Sequence, residues 1–382
     1  MGDAKGLTHL RDLSLEELRA FGKEKLGEPA YRGNQLFEWL YRHRVSTFEA
    51  MTNLSKGLRE KLPTLADVSL PKVVTAPKSV DGTRKLLLEL ADGERIEAVL
   101  IPDADRVTLC ISTQVGCALA CKFCATGVLG FKRNLEPHEV LDQLLIGDAY
   151  ARKDQEDAGF SGERGVTNMV LMGMGEPLLN FDNVVKALKI VSAPEGLNFS
   201  RHRVTLSTVG ILPKLWPFLE ATGVNLAISL HASNPALRAE LMPIDKAYGM
   251  DEILQSIRDH EDDMKDRITF EYVLLAGVND SIAQAKELAV RVAGIRAKVN
   301  LLPFNPHADA TYARPDDLDV ERFRTALRDE GIDAFVRKSR GRDIAAACGQ
   351  LALAEKETSK IVPLPKAHEA VAVPVPSETQ PS

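Results

Sequence analysis

The spacing of apolar residues predicts helices near the start of the chain. Ser14 followed by Glu17 is the pattern of a capping box at the beginning of a helix. Apolar residues then recur at helical spacing in 31–41, around Leu36, and predict a second helix. A third helix is expected in 51–62. Together these segments predict a small helical accessory domain.

After the helical segments the pattern becomes strand-like. Two apolar runs, 85–90 and 95–101, flank the dipeptide Asp92-Gly93. Asp-Gly between two such runs is typical of a tight hairpin turn, because glycine tolerates the positive φ that the turn requires. We therefore expect a β-hairpin that connects the helical domain to the rest of the chain.

From residue 107 onward, short apolar runs alternate with helical patterns. The predicted strands are 107–112, 166–172, 203–208, 224–229, 269–274 and 299–303, and the predicted helices are 137–152, 183–192, 212–221, 250–260 and 282–295. Repeated βα units predict a parallel sheet with right-handed crossovers. Six strands are fewer than the eight of a closed barrel, so the expected fold is α/β, a partial (β/α)6 barrel.

These patterns also predict the domain organisation. The expected parts are the helical accessory domain, the hairpin extension, the partial barrel and a proline-rich tail, at residues 1–65, 66–106, 107–355 and 356–382. The tail carries few large apolar groups, so we expect it to be disordered.

Composition narrows the class of protein. A hydrophobic content of 45% and a charged content of 27% are typical of a globular protein. No run of about 18 apolar residues predicts a membrane-spanning helix, and no apolar segment near the start predicts a signal peptide. Five cysteines, an odd number, argue against a secreted disulfide framework and favour a cytoplasmic protein. The net charge of −6 leaves nucleic acid open as a partner, because local basic patches decide binding.

Three cysteines indicate a metal centre. Cys117, Cys121 and Cys124 follow a CxxxCxxC spacing. Three thiolates can hold three irons of a 4Fe–4S cluster, which leaves the fourth iron open to a chelating ligand. A structural zinc site is the alternative, but it needs a fourth ligand from elsewhere, such as Cys110, Cys348 or a histidine.

Further polar residues follow the predicted strands at their carboxyl ends, where ligands bind in βα folds. Residues 173–177, with the sequence Gly-Met-Gly-Glu-Pro, follow the second strand. Ser207 ends the third strand, Ser229-Leu230-His231 ends the fourth, and Asn305 follows the sixth. The glycines of 173–177 allow close approach of the backbone to a ligand. The carboxylate of Glu176 can accept hydrogen bonds from a ligand ammonium group.

Longer motifs occur together and in order. They are Gln114-Val-Gly-Cys-Ala-Leu, Gly130-Phe-Lys-Arg-Asn-Leu, Met172-Gly-Met-Gly-Glu-Pro-Leu-Leu-Asn, Ser229-Leu-His-Ala, Leu301-Leu-Pro-Phe-Asn-Pro and Ala347-Cys-Gly-Gln. The cysteine spacing resembles that of the radical SAM superfamily, whose members combine a 4Fe–4S cluster with S-adenosylmethionine (SAM). Over about residues 12–355 the chain resembles the RlmN family, bacterial dual-specificity enzymes that methylate C2 of adenine in 23S ribosomal RNA and transfer RNA.

The resemblance implies a mechanism that uses two SAM molecules per turnover. Cys348 would carry a methyl group from the first SAM, and Cys110 would resolve a protein–RNA adduct through a transient disulfide with Cys348. Glu97 would accept the proton from C2. The implied cluster ligands are Cys117, Cys121 and Cys124, and the implied SAM contacts are Gly175, Glu176, Ser207, Ser229, Leu230, His231 and Asn305.

The resemblance also implies the partners. These are 23S rRNA at adenine 2503, tRNA at adenine 37, and an electron donor such as flavodoxin, with no role for a membrane or DNA. The RNA surface is expected in the N-terminal helices and in the basic run 337–342. Two alternatives stay open: a related enzyme that methylates adenine C8, and a non-catalytic metal-containing RNA-binding protein.

Overall fold

The computed structural model describes residues 6–160, 162, 164–264, 266–307, 310–351 and 364–365. The helices are α1 Leu15–Phe21, α2 Tyr31–Tyr41, α3 Lys56–Lys61, α4 Ala125–Leu129, α5 Pro137–Asp157, α6 Phe181–Ser192, α7 Leu212–Thr222, α8 Pro235–Leu241, α9 Met250–Asp259, α10 Ile282–Val292 and α11 Asp317–Asp329. The strands are β1 Thr8–His9, β2 Ala66–Asp67, β3 Lys72–Thr75, β4 Arg84–Glu89, β5 Arg95–Asp103, β6 Arg106–Cys110, β7 Gln114–Gly116, β8 Phe131–Asn134, β9 Asn168–Leu171, β10 Val204–Thr208, β11 Asn225–Ser229, β12 Ile268–Leu274, β13 Ala297–Pro303 and β14 Ala334–Val336. The expected tail, 356–382, lies outside the described residues except for 364–365.

Ten strands form one open sheet. Their order is β14-β13-β12-β11-β10-β9-β6-β5-β4-β3. The seven strands from β14 to β6 pair in parallel, and β5, β4 and β3 continue the sheet as antiparallel neighbours. The predicted hairpin is therefore an extension of the partial barrel, because its strand β5 pairs directly with β6.

All six predicted barrel strands are present, with ends shifted by no more than two residues. A seventh parallel strand, β14, pairs with β13. It spans only three residues, and both Phe335 and Val336 are exposed, so no buried apolar run marks it in the sequence. Three further helices, α4, α8 and α11, were not predicted.

The N-terminal region begins with the predicted helix pair. The hydroxyl of Ser14 accepts a hydrogen bond from the N–H of Glu17, and the Glu17 carboxylate accepts one from the N–H of Ser14. Helices α1 and α2 cross closely at Gly33, where a Cβ would lie 2.5 Å from the backbone nitrogen of Arg19. Helix α3 is shorter than predicted, because it begins only after Ser55, whose hydroxyl caps its first turn.

Buried charges join the N-terminal region to the barrel. Arg11 and Asp142 of α5 are both fully buried, and Nε of Arg11 donates a hydrogen bond to Asp142 at 2.5 Å. The same guanidinium donates to the carbonyls of Val68 and Ser69, each at 2.7 Å. One side chain thus ties the start of the chain, the approach to the hairpin and α5 together.

A second polar contact lies at this junction. His9, Asp12 and His138 are the one compact group of possible metal ligands within the described part of the chain. Nδ1 of His138 lies 2.9 Å from the Asp12 carboxylate. The imidazole rings of His9 and His138 stack, with their centroids 3.8 Å apart and an angle of 21° between their planes. Ring nitrogens of stacked, nearly parallel rings do not converge on one ion. We therefore interpret this group as a hydrogen-bonded contact between the N-terminal region and α5.

Strand pairing places polar side chains on one face of the parallel sheet. Paired residues share a face, and the register from β6 to β13 puts the following residues on the same side: Cys110, Ser207, Ser229, Glu271 and Asn300. The opposite side carries buried apolar residues such as Leu206, Ile228 and Phe270. We call the first side the polar face.

No described helix is long and apolar enough to cross a membrane.

Candidate active site

Close backbone packing shapes the loop that carries the predicted cluster cysteines. Gly116 ends β7 with a φ of +76°, and a Cβ at this position would lie 1.8 Å from the carbonyl oxygen of Gly130. The N–H of Cys117 donates a hydrogen bond to that carbonyl at 2.9 Å. Strands β7 and β8 pair on either side of residues 117–130, which we call the cysteine loop. This loop is therefore held at both of its ends.

The three thiols are spaced too widely for a zinc site. Thiolates about 2.3 Å from a tetrahedral zinc ion lie about 3.8 Å from one another. Cys117, Cys121 and Cys124 do not form a group whose ligand atoms all lie within 4.8 Å of one another in the described structure. An iron–sulfur cube separates its thiolates further, because each one binds a different iron. The donor set therefore fits a 4Fe–4S cluster.

The three thiols that are predicted to hold the cluster share one electrostatic environment. Burial raises the pKa of Cys117 to about 11, and the charge of Cys124 adds to the shift. Burial also raises the pKa of Cys121, with further contributions from Cys124 and Cys117. The charge of Cys124 thus acts on both of the other thiols, as expected for three sulfur atoms that lie near one another. A bound metal reverses the shift, because coordination stabilises the thiolate.

Residues 173–177 place a buried carboxylate at the carboxyl end of the sheet. Glu176 accepts hydrogen bonds from the N–H of Leu178 at 3.0 Å, the hydroxyl of Thr208 at 2.7 Å and the N–H of Val209 at 3.0 Å. Burial raises the pKa of Glu176 to about 7, and the hydrogen bonds limit that shift. A cationic ligand group would favour the ionised form, so this carboxylate fits the ammonium group of SAM.

The same turn packs against the segment after β6 and requires glycine. Gly175 has a φ of +101°, and a Cβ there would lie 2.6 Å from Cβ of Gln114. Oε1 of Gln114 accepts a hydrogen bond from the N–H of Glu176 at 2.9 Å, and its Nε2 donates to Asn134 of β8 at 2.8 Å. Gln114, which the sequence analysis gives no separate role, thus joins this turn to the strands that flank the cysteine loop.

The other predicted SAM contacts meet at the ends of β10 and β11. Ser207 and Ser229 both lie on the polar face, while Leu230 is fully buried. His231 has a φ of +56° and its Nδ1 accepts a backbone hydrogen bond at 3.0 Å, so its ring proton is on Nε2. Burial lowers the pKa of His231 to about 3, which keeps the ring neutral. The ring of Phe123, within the cysteine loop, contacts His231 edge-on at 4.8 Å.

The segment that carries Cys348 is bound to the cysteine loop. The N–H of Ala125, the residue after the last cluster cysteine, donates to the carbonyl of Gly349 at 2.9 Å. Nδ2 of Asn305 lies 3.4 Å from the carbonyl oxygen of Cys348. The fold therefore brings Asn305, Cys348 and the predicted cluster loop together, although they are far apart in the sequence.

Cys110 and Cys348 are free thiols, and the charge of Cys348 acts on Cys110. Burial raises the pKa of Cys110 to about 12, and the charge of Cys348 adds to this shift. Cys348 is exposed, so other molecules can reach it, while the protein around it still raises its pKa by desolvation. The positive charge of Arg337 opposes the shift at both thiols. Arg337 is therefore placed to stabilise either thiolate.

Glu97 lies on the same face as Cys110. In the pairing of β5 with β6, Val99 is opposite Cys110, and Glu97 precedes Val99 by two residues. Nζ of Lys85 on β4 lies 3.1 Å from Oε1 of Glu97, and the two side chains are 6% and 2% exposed. Lys85 could not be singled out from the sequence, because a lysine in a hairpin strand is usually exposed and belongs to no motif.

Arg238 is a second buried charge that the sequence analysis missed. It lies on α8 and is fully buried, with its guanidinium 2.5 Å from Asp245. It donates hydrogen bonds to the carbonyls of Val209 at 2.8 Å and Ser229 at 3.0 Å. Arg238 therefore joins the carboxyl ends of β10 and β11. A single arginine in a short helix gives no spacing pattern from which this role could be predicted.

One cavity of about 570 Å³ lies elsewhere. Arg201, Trp216 and His260 contribute to its lining, which surrounds the amino ends of β10, β11 and β12. It contains none of the predicted site residues. Because ligands in βα folds bind at the carboxyl ends of the strands, we do not assign the active site to this cavity.

Comparison with known proteins agrees with this geometry. Residues 8–68 match the family described as ribosomal RNA large subunit methyltransferase N-terminal domain, and residues 111–289 match the radical SAM superfamily. The chain is 46% identical over 346 residues to a dual-specificity RNA methyltransferase RlmN from Solidesulfovibrio magneticus, covering 90% of this chain and 96% of that protein. It is 48% identical over 323 residues to the protein of the same name from Desulfosudis oleivorans, covering 84% of this chain and 85% of that protein.

A solved structure supports the same assignment. The crystal structure of a radical SAM methyltransferase from Sphaerobacter thermophilus is similar with a TM-score of 0.84 and 42% sequence identity. The match covers 90% of this chain and 99% of that chain. The chain therefore belongs to the RlmN family of dual-specificity RNA methyltransferases, within the radical SAM superfamily.

Proposed function

We propose that the chain is a radical SAM methyltransferase that adds a methyl group to C2 of adenine in 23S rRNA and tRNA. The observation that supports the proposal is a pair of free thiols outside the cysteine loop: Cys110 lies on the polar face, and Cys348 lies in the segment that is hydrogen-bonded to that loop. The charge of Cys348 contributes to the raised pKa of Cys110. A non-catalytic RNA-binding protein would have no need for these two extra thiols at its metal centre. The family membership gives the substrate class.

The cofactor positions fit this activity. Cys117, Cys121 and Cys124 would hold the 4Fe–4S cluster. Gly175 and Glu176 would bind the amino group of SAM, and the remaining contacts would come from Ser207, Ser229, Leu230, His231 and Asn305. When bound, the cluster and SAM supply a 5′-deoxyadenosyl radical through reductive cleavage of SAM. Adenine C2 is electron-poor, so it does not attack the electrophilic methyl group of SAM directly.

Three residues of the chain would handle the methyl group. The Cys348 thiolate attacks the methyl carbon of a first SAM, and the sulfonium–methyl bond breaks as the new sulfur–carbon bond forms. The 5′-deoxyadenosyl radical would remove one hydrogen atom from the S-methyl group, and the resulting carbon radical would bond to C2. Glu97 then accepts the C2 proton, and the one surplus electron would return to the oxidised cluster. The Cys110 thiolate attacks the Cys348 sulfur, so that a disulfide forms and the sulfur–carbon bond breaks; its electron pair stays on the released carbon, which takes up a proton to become the methyl group. Arg337 would stabilise the thiolates in these steps.

We also propose the partners. RNA would dock on the N-terminal helices and the basic run 337–342, and the target base would leave its stack to reach the buried residues. An electron donor such as flavodoxin would reduce the cluster. A reducing cytoplasm would keep Cys110 and Cys348 as thiols between turnovers.

Anaerobic reconstitution tests the proposal. The protein is loaded with iron and sulfide, incubated with methyl-labelled SAM, a reductant and either an rRNA fragment or tRNA, and the RNA is then digested and analysed by mass spectrometry. We expect 2-methyladenosine. Product methylated at C8 would favour the C8 alternative, and unlabelled RNA would contradict both enzymatic functions.

A matched variant separates chemistry from binding. Cys348→Ala should retain its iron and bind SAM, because Cys348 is not among the proposed cluster or SAM contacts, but it should give no methylated nucleoside. If Cys348→Ala methylates RNA at the wild-type rate, the methyl group does not pass through this thiol.

A further inference from the structure

The hairpin that precedes the barrel contributes a buried ion pair to the polar side of the sheet. Lys85 on β4 and Glu97 on β5 are diagonal neighbours, and Nζ of Lys85 lies 3.1 Å from Oε1 of Glu97. Their side chains are only 6% and 2% exposed. By contrast, the nearby cross-strand pair of Lys72 and Glu89 is 61% and 26% exposed, with its atoms 3.6 Å apart. Burial therefore distinguishes the Lys85–Glu97 pair from an ordinary surface ion pair.

The register places this pair beside the two thiols. Lys85 is opposite Val99, and Val99 is opposite Cys110, so the three residues form a row across β4, β5 and β6 on one face. Glu97 lies two residues from Val99, about 7 Å along the strand. The displacement is toward the carboxyl end of β6, where the Ser112 hydroxyl donates a hydrogen bond to the Glu97 carbonyl at 2.7 Å. The pair thus lies on the catalytic side of the molecule.

The entrance to β4 is also bound to the segment that carries Cys348. The N–H of Gly341 donates to the carboxylate of Asp81 at 3.0 Å, and the Ser79 hydroxyl donates to Asp343 at 2.5 Å. A Cβ at Gly341 would lie 2.8 Å from the Thr83 side chain. The strand that carries Lys85 and the loop that leads to Cys348 therefore hold each other in place.

A buried ion pair in this position lowers the stability of the fold, and a function in the reaction would explain its presence. Burying an ammonium and a carboxylate costs several kcal/mol per ion, and pairing offsets that cost only in part. An apolar pair of similar size would stabilise two buried strand positions at least as well. The ion pair fixes the position of the carboxylate, and a general base acts only when it lies within hydrogen-bond reach of the proton that it accepts.

We propose that Lys85 is a positioning residue for the reaction, whose ion pair holds the Glu97 carboxylate in place and directed toward the adenine ring. The inference rests on the proposed function, because it requires Glu97 to accept the C2 proton. In that step the C2–H bond breaks, its electron pair stays with the purine ring, and the proton moves to the Glu97 carboxylate. Lys85 takes no part in the transfer itself, and its ion pair holds the carboxylate at the ring while the proton moves.

The test compares Lys85→Met and Lys85→Arg in the reconstituted full-length protein. Substrate RNA is prepared with hydrogen or deuterium at adenine C2, and both the rate of methylation and the covalent protein–RNA adduct on denaturing gels are measured. Lys72→Met is the matched control, because it removes the exposed pair of the same sheet.

For Lys85→Met we expect methylation to slow by about 100-fold, the low end of what general-base catalysis contributes. The adduct should accumulate, and a primary deuterium isotope effect should appear, because proton removal becomes the slow step. Lys85→Arg should recover most of the rate, and Lys72→Met should behave as the wild type. A structural role alone would not produce an isotope effect.

Other outcomes overturn the inference. It fails if Lys85→Met methylates at the wild-type rate, or if it is slower without adduct or isotope effect. Should Lys85→Met not fold, Lys85→Gln keeps hydrogen-bond donors without the charge and carries the same expectation. If the wild-type protein itself forms neither adduct nor 2-methyladenosine, the proposed function fails, independently of Lys85.

Discussion

At the scale of single residues, the site contains buried ionisable side chains, and their burial reduces the stability of the fold. Glu176 is 3% exposed, and its hydrogen bonds come from two backbone N–H groups and a threonine hydroxyl. Glu97 is paired with Lys85, and Arg238 is paired with Asp245. Buried ionisable groups with specific partners cluster at functional sites, because the chemistry needs them there. Each of these residues lies at or near the polar face or its carboxyl end.

Replacement of the resolving thiol should trap the reaction. For Cys110→Ala we expect a covalent protein–RNA adduct, because no thiolate remains to attack the Cys348 sulfur. The adduct would be seen as a shifted band on a denaturing gel after anaerobic incubation with SAM and RNA. The double variant Cys110→Ala/Cys348→Ala should form no adduct. Free RNA and normal turnover in the single variant would show that Cys110 does not resolve an intermediate.

Binding of SAM should depend on pH through Glu176. The raised pKa of this carboxyl, about 7, means that it is largely protonated below that pH in the absence of a ligand. An ammonium group favours the carboxylate, so binding at lower pH must release a proton. The dissociation constant for SAM should therefore rise by up to about tenfold per unit as pH falls below 7, and change little just above it.

Calorimetry on the reconstituted protein at pH 6 and pH 8 would measure this dependence on SAM binding. Glu176→Gln should bind SAM more weakly at both values and lose the dependence. Equal affinity of the wild type at the two pH values would show that Glu176 does not contact the ammonium group.

At the scale of elements, close backbone approaches decide how the segments fit together. Gly116 allows the carbonyl of Gly130 to approach, and this contact fixes the cysteine loop between β7 and β8. Gly175 allows the turn after β9 to lie against Gln114. Gly33 allows α1 and α2 to cross. Each contact joins elements that apolar spacing alone would predict separately.

Substitution of Gly33 tests the helix crossing. A Cβ there would meet backbone atoms of Leu18 and Arg19, which cannot rotate away, so the two helices would have to move apart. We expect Gly33→Ala to reduce stability by about 3 kcal/mol, at the upper end for overpacking. Urea unfolding of the purified protein would measure the loss.

The matched control is Gly57→Ala in α3. A Cβ at this position has nothing within 4 Å, so alanine should stabilise the helix by up to about 1 kcal/mol. If both alanine variants unfold at the wild-type urea concentration, the close crossing of α1 and α2 does not limit stability.

At the scale of the whole molecule, a polar junction joins the N-terminal region to the barrel, and one continuous sheet joins the hairpin to the barrel. Arg11 reaches Asp142 of α5 and the carbonyls of Val68 and Ser69. Strands β3 to β5 continue the sheet of the barrel. The parts that the sequence divides into domains are therefore packed against one another, and we expect a change at a junction to affect more than one of them.

Removal of one partner of the buried Arg11–Asp142 pair should lower the stability of the protein. Asp142→Asn leaves the guanidinium of Arg11 buried without a countercharge, and we expect a loss of about 3–5 kcal/mol. The double variant Arg11→Met/Asp142→Leu should regain most of that stability, because it buries no charge. Thermal or urea unfolding would measure both.

The control for this experiment is Asp157→Asn. Asp157 pairs with Lys153 on the surface of the same helix, with both side chains more than half exposed. Its loss should change stability by no more than about 0.5 kcal/mol. Equal stability of Asp142→Asn and Asp157→Asn would show that the junction contributes little.

Local patterns in the sequence were sufficient for most of the fold. The capping box at Ser14, the Asp92-Gly93 hairpin and the six barrel strands were predicted correctly, because each depends on spacing within a few residues. Strand β14 was missed because the strand is only three residues long and is partly exposed. The family was also determined by the sequence, since its motifs are contiguous and occur in order.

Only the tertiary structure decided which distant residues act together. Lys85 and Glu97 meet because β4 and β5 pair in one register, and a shift by one residue would turn either side chain to the other face. Arg238 reaches Val209 and Ser229 through the packing of α8, which no spacing rule describes. Sequence determines what a residue can do chemically and which short element it joins. Its partners across the fold depend on strand register and packing, because these contacts connect segments that are far apart along the chain.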